Sequence, residues 1–191
     1  MVQISIPSER GQQLIQIARQ AVFEAVAGQT FDHLEAESWL REQGATFVTL
    51  TCGEKLRGCV GSLEPYRPLL EDLRENACSA ALRDPRFPPV SSFELDDLEV
   101  EVSVLSDLEE IECDSEADLL QQLHPGEDGL VLEWRDERGT FLPQVWDGFP
   151  DPAAFLGRLK EKVGLLPEFW DPEIRVWRYT VAKWRQAEIP S

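Results

Sequence analysis

The chain has 191 residues, 42% apolar and 28% charged, the composition of an ordinary globular protein long enough to bury a core without disulfide staples. Its formal net charge of −18, from 36 acids against 18 Lys and Arg, argues against non-specific binding to the phosphates of nucleic acid. No apolar run approaches the roughly 20 residues that cross a bilayer, and the opening MVQISIPSERGQQLIQIARQ has no basic n-region, apolar h-region or small-residue cleavage site, so a cytoplasmic protein is expected.

In SERGQQLIQIARQAVFEAVAG, residues Leu14, Ile17, Ala18, Ala21, Val22, Ala25 and Val26 form one stripe, predicting a helix that starts near Ser8 and stops at Gly28. GATFVTLTC is β-rich and runs through Gly53-Glu54 into KLRGCV, the pattern of a hairpin with a two-residue turn. That register sets Cys52 opposite Lys55 and Cys59 opposite Val48, so the two cysteines are not cross-strand partners. A second helix is expected over 68–83, with Pro68 in its first turn and Leu69, Leu70, Leu73, Ala77, Ala80 and Ala81 buried. DPRFPP breaks it into a stiff, extended loop.

DLEVEVSVL alternates cleanly, with Leu98, Val100, Val102 and Val104 on one face, predicting a half-exposed antiparallel strand. Ser115 to Asp118 is a capping box opening a short helix. HPGEDG is a turn cluster, and LVLEW and TFLPQV flank a polar loop at 135–139 as a further hairpin. DPAAFLGRLKEKVG is a helix with Asp151 as cap, Pro152 in its first turn and Gly164 at its end. EIRVWRYTVAKW closes the pattern as a single strand. Hairpins and helices in mixed order indicate an α+β fold, not a doubly wound sheet. Residues 1–191 read as a single domain or two small, intimately packed lobes, with no boundary assignable.

Charge is unevenly distributed. From Phe87 to Trp134 there is no Lys or Arg, whereas Arg41 to Arg86 carries seven basic residues, the better place for an anionic small ligand. The acidic DLEEIECDSEAD reads as a solvated face. Cys52, Cys59, Cys78 and Cys113 contain no CxxC pair and no zinc-finger spacing, so reduced thiols are expected. No phosphate loop, dinucleotide fingerprint or GxSxG elbow occurs, and no cofactor is identified. A metal set built on His124, Glu127 and Asp128 has no supporting spacing, so no metal site is expected.

The run from Phe47 to Leu105 resembles the core of the AMMECR domain family, whose prokaryotic branch is called AmmeMemoRadiSam system protein A. The hexad Leu56-Arg57-Gly58-Cys59-Val60-Gly61 is similar to the family's Leu-Arg-Gly-Cys-Ile-Gly hallmark, and DPRFPP, HPGEDGLVL and FLPQV follow in the family's order. The likeness extends over roughly residues 8–184. It implies a two-lobed α+β fold with mostly antiparallel sheets flanked by helices. It implies no settled activity. It also implies an association with a Memo-type protein and a radical-SAM protein.

In a regular strand Arg57 and Cys59 share a face, about 7 Å apart, with Leu56 and Val60 on the other. A guanidinium beside a thiol favours thiolate, and Gly58 and Gly61 leave backbone open to a bulge, a bend or a ligand. The competing reading makes Cys59 a small packed hydrophobe and the glycines an allowance for close helix packing. A nucleophile needs a base. Of the two histidines, His33 sits in a polar connection, while His124 has Asp128 placed to orient its ring. Arg83, Arg86 and Phe87 are candidates for a basic ligand pocket beside Arg57, unless the arginines simply pair with Asp84 and neighbouring acids. The leading expectation is an accessory or binding protein with its functional surface at Arg57–Gly61. The alternative is an enzyme with Cys59 as nucleophile, Arg57 as its activator and His124 as base.

Overall fold

The computed structural model describes residues 8–28 and 37–186. The described residues divide into two compact units, one of Ser106–Val181 and one of those up to Leu105 together with those from Ala182. Each unit is built on its own four-stranded sheet, and the class is α+β. No helix among the described residues is long and apolar enough to cross a membrane.

The unit holding the hexad begins with α1 (Ser8–Ala27), whose apolar stripe is buried as its spacing predicts. Strands β1 (Thr46–Cys52) and β2 (Lys55–Gly61) form the expected hairpin, turning at Gly53 with φ +60°. Helix α2 (Leu69–Leu82) follows, with Pro68 as its N-cap residue and not inside its first turn. β3 (Leu98–Leu105) pairs antiparallel with β1, and β8 (Val181–Arg185) completes the order β2-β1-β3-β8. Leu14, Ala18 and Val22 of α1 and Leu73, Ala77 and Ala80 of α2 pack with Val48, Leu50, Val100 and Val102 in one core, so both helices cover the same face of this sheet.

A buried polar knot pins α2 to the hairpin. Asp72, fully buried, accepts hydrogen bonds from Thr46 N at 2.8 Å, Thr46 Oγ1 at 2.7 Å, Ser62 Oγ at 2.6 Å, Arg67 Nε at 2.9 Å and Asn76 Nδ2 at 2.9 Å. A carboxylate taken out of water is tolerated only when its lone pairs are satisfied in this way.

The second unit contains β4 (Glu109–Glu110), α3 (Glu116–Gln122), β5 (Gly129–Trp134), β6 (Glu137–Phe141), α4 (Pro152–Lys162) and β7 (Arg175–Tyr179), with sheet order β4-β7-β5-β6. Leu119, Leu130, Leu132, Phe155, Leu156, Leu159 and Val176 form its core, with Trp146 stacked on Phe155 at 3.8 Å between ring centroids. Asp151 Oδ2 accepts from Ala154 N, and Ser115 Oγ accepts from Asp118 N, both as capping residues.

Two further expectations are corrected. The polar segment 135–139 is a turn only at Arg135-Asp136, with Arg135 at φ 55°; Glu137, Arg138 and Gly139 belong to β6, because Arg138 stands opposite Glu133 on a solvent-facing row. EIRVWRYTVAKW is two strands, not one, and they lie in different sheets. The break falls at Thr180, whose carbonyl accepts from Ser106 N and whose N–H donates to Ser106 Oγ, both at 2.9 Å.

Candidate functional site

The hexad lies on β2, an edge strand. Its pairing is interrupted: Leu50 is opposite Gly58 but Thr51 is opposite Leu56, so Arg57 is the extra residue of a β-bulge. The bulge moves every residue beyond it by one. Cys59 stands across from Thr49 rather than Val48, and it shares its face with Leu56, not with Arg57. Gly58 and Val60 take the helix-facing side. A Cβ on Gly58 would lie 2.1 Å from the carbonyl oxygen of Ala80 on α2, so the glycine allows strand and helix to touch backbone to backbone. A Cβ on Gly61 would fall 2.2 Å from the Phe47 ring.

Bulging turns Arg57 towards the segment after α2. Its Nε and Nη2 donate to Glu94 at 2.7 and 3.2 Å, and Nη1 and Nη2 donate to the carbonyls of Pro88 and Pro89 at 2.9 and 3.3 Å. Hydrogen bonding from Arg57, with that from the Ser91 backbone, lowers the Glu94 carboxyl to about 2. Glu94 also closes a capping box with Ser91 at the 3-10 turn Ser92–Asp97. Two of the loop's three prolines, Pro88 and Pro89, therefore serve the site through their carbonyl acceptors.

The free edge of β2 is closed by the same loop. Asp84 Oδ2 accepts from Cys59 N at 2.8 Å and from Arg86 Nη2 at 2.7 Å, while Arg86 Nη2 also donates to Cys59 O at 3.1 Å. Asp84 Oδ1 takes Arg86 N and Nε. This pairing, led by Arg86, holds the buried Asp84 carboxyl far below the usual carboxylate range. Asp84 and Arg86 thus act as a surrogate strand for one residue of β2, leaving fewer unpaired edge groups. The Arg86 guanidinium also lies 5.5 Å from the Phe87 ring centre. Arg83 turns elsewhere, to Glu75 and Ser79.

The Cys59 side chain, half-buried, accepts a hydrogen bond from Thr49 Oγ1 at 3.4 Å. Thr49 is in turn opposite Glu101 of β3, which pairs with Lys183 at 3.1 Å and with Arg185. Arg57, Cys59, Arg86 and Phe87 are therefore brought together around one strand. What holds them is mutual pairing.

His124 belongs to the unit of Ser106–Val181. Its Nδ1 is 3.2 Å from Asp128 Oδ2, the orienting contact its sequence position suggests, and 3.3 Å from Arg178 Nη1. His33 lies outside the described residues. Among the described residues no group of three His, Cys, Asp or Glu side chains could hold a metal ion. Sequence reasoning missed Glu94 and Thr49. For Glu94 the signal was present as the Ser91-x-x-Glu94 capping spacing; Thr49 depended on the bulge, which spacing does not announce.

Fold and site together define an α+β protein of two sheet-based units whose hexad strand is locked along its edge by a downstream proline-rich loop. The AMMECR1 family model matches residues 15–184, and the chain belongs to that family. A protein of Methanothermobacter thermautotrophicus is 43% identical over 179 residues, covering 90% of this chain and 91% of its own. Protein MJ0810 of Methanocaldococcus jannaschii is 35% identical, covering 94% and 92%. The crystal structure of the uncharacterized protein PH0010 from Pyrococcus horikoshii is similar with a TM-score of 0.77 and 35% identity, over 93% of this chain and 91% of that one.

Proposed function

We propose that this protein is a cytoplasmic accessory or binding protein whose working surface is centred on Arg57–Gly61 and bordered by the loop 84–89, and that it acts with a Memo-type protein and a radical-SAM protein. The observation that carries this reading is the commitment of the segment's charged groups to one another: Arg57 to Glu94, Arg86 to Asp84 and Arg83 to Glu75. A rigid segment with its cations internally paired suits shape recognition by a protein more than capture of a small anion. Apolar surface is offered at the same place. Leu56 of the hexad is 42% exposed, and Phe93, next to the Glu94 that Arg57 grips, is 92% exposed.

Affinity capture from cells carrying all three proteins tests the reading. Recovery of either partner, lost on Leu56→Asp with the melting temperature held, is the expected result. Recovery of neither partner by the unsubstituted chain overturns it.

A second reading rests on the hydrogen bond that Thr49 Oγ1 donates to Cys59 Sγ, an arrangement that would suit a thiol acting as nucleophile. Here Cys59 is the nucleophile; Arg57, which the bulge turns away to Glu94, is not its activator. Under it, Cys59→Ser abolishes the activity of the reconstituted three-protein system and leaves the melting temperature unchanged. A lowered melting temperature with activity retained assigns the thiol to packing.

A further inference from the structure

Phe93 is the most exposed large apolar side chain among the described residues, and the 3-10 turn Ser92–Asp97 that carries it is pinned on both sides. Val90 before it and Leu95 within it are buried in the core of this unit, and Val90 N donates to Ala81 O at 2.8 Å. Glu94, the next residue, takes Arg57 with both oxygens and accepts from Ser91 N and Ser91 Oγ at 2.8 and 2.9 Å. The ring is thus held in water by neighbours that are themselves fixed. An aromatic presented in this way has little freedom left to lose when another surface closes over it, the property of an anchor residue.

The surroundings of Phe93 state the charge of that other surface. Asp96 and Asp97 are exposed on the same turn and make no ion pair among the described residues. Arg57, the cation that reaches the turn, is committed to Glu94, and the chain itself has no Lys or Arg from Glu94 through Trp134. A nucleic-acid backbone or an anionic lipid surface would meet these carboxylates as like charges. A protein surface whose apolar socket is edged by Lys or Arg meets them as complementary ones.

We infer that Phe93 is the anchor by which this surface takes its protein partner, the ring entering an apolar socket whose Lys or Arg rim faces Asp96 and Asp97. The inference rests on the partner-binding reading and adds to it the residue that dominates affinity and the chemistry of the opposing surface.

Surface plasmon resonance of the full chain against the purified Memo-type and radical-SAM proteins, at several salt concentrations, tests it. Phe93→Ala is expected to weaken the complex about thirtyfold, the roughly 2 kcal/mol of an aromatic anchor, through faster dissociation. Its melting temperature stays unchanged, because so exposed a ring packs on little, and Phe93→Trp keeps most of the affinity. Replacing Asp96 and Asp97 together by Asn is expected to slow association several-fold and to reduce its salt dependence, with dissociation little altered. Glu168→Gln, which removes a charge from an exposed position in the other unit, changes neither rate. A Phe93→Ala chain that binds as tightly as the unsubstituted one, while Leu56→Asp does not bind, overturns this inference and leaves the partner-binding reading standing. Association that quickens with added salt overturns the basic rim. Self-association of the chain in sedimentation, lost on Phe93→Ala, assigns the anchor to a second copy instead. Binding of neither protein by the unsubstituted chain overturns the reading and the inference together.

Discussion

The backbone N–H of Cys59 donates to the carboxylate of Asp84 at 2.8 Å, joining the hexad to DPRFPP, two segments 25 residues apart. Asp84 is buried and holds Arg86 with both oxygens, and Arg86 returns to Cys59 O. Four hydrogen bonds to one carboxylate give the hexad a fixed main chain without a neighbouring strand.

Asp84→Asn keeps the shape but removes the charge and one acceptor, leaving donors of Arg86 or Cys59 unmet. Loss of charge-assisted hydrogen bonds at a buried site costs about 2–3 kcal/mol. The expected outcome is a clear fall in the midpoint of urea unfolding with the slope unchanged, and faster amide exchange at Cys59. Unaltered exchange at Cys59 would show that the carboxylate does not hold that strand edge.

Much of this fold is legible in the residues, and the division follows range. The stripe of α1 and the alternation of β3 are local periodicities, and both elements stand where those patterns put them. Asp72 and Asn76 also left a trace, as polar residues within the apolar stripe of α2, which a buried knot explains. The bulge at Arg57 left none. It depends on the register of β1 and β2 and on the approach of Ala80, contacts that no spacing within KLRGCVG encodes. The same holds for Thr180, where a pattern continuous in sequence is divided by pairing with Ser106, 74 residues away.

Gly58→Ala tests the backbone-to-backbone contact. The added methyl would fall 2.1 Å from Ala80 O, and the obstacle is main chain, which cannot swing aside. Overpacking of this kind costs about 1–3 kcal/mol. The substitution is expected to lower the melting temperature by several degrees, whereas Ala80→Gly, which leaves the carbonyl in place, does not rescue it. A Gly58→Ala protein as stable as the original would mean that α2 moves freely on β2.

Acid separates the Arg57–Glu94 pair from the rest. Glu94 is lowered to about 2 from an ordinary 4.5, chiefly by its hydrogen bond from Arg57. A carboxyl depressed in the folded state adds stability that is fully present above its unfolded value and is lost as pH falls through the folded one. Because Glu94 is one-third exposed, solvent screening limits the pair to about 1 kcal/mol or less. Relative to Glu94→Gln, the unsubstituted chain is therefore expected to melt a few degrees higher above pH 5 and at the same temperature near pH 2. A difference that persists undiminished at pH 2 would rule out ionisation of Glu94 as its origin.

The four thiols should separate by reactivity. Burial, followed by the nearby Glu75 charge, pushes the Cys78 thiol up, and burial followed by Asp118 does the same at Cys113. Less thiolate at a given pH means slower alkylation. Cys78 also points its thiol at Ala21 O, 3.6 Å away, and packs against the core that α1 and α2 share. Cys59 instead sits on the open sheet face, beside a hydroxyl that donates to its sulfur. Site-resolved iodoacetamide labelling at neutral pH is therefore expected to modify Cys59 several-fold faster than Cys78 or Cys113. Raising the pH should narrow the gap, as the two raised thiols ionise. Labelling of Cys59 only together with Cys78, under conditions that unfold the chain, would instead assign it to the core and remove the sheet face as a working surface.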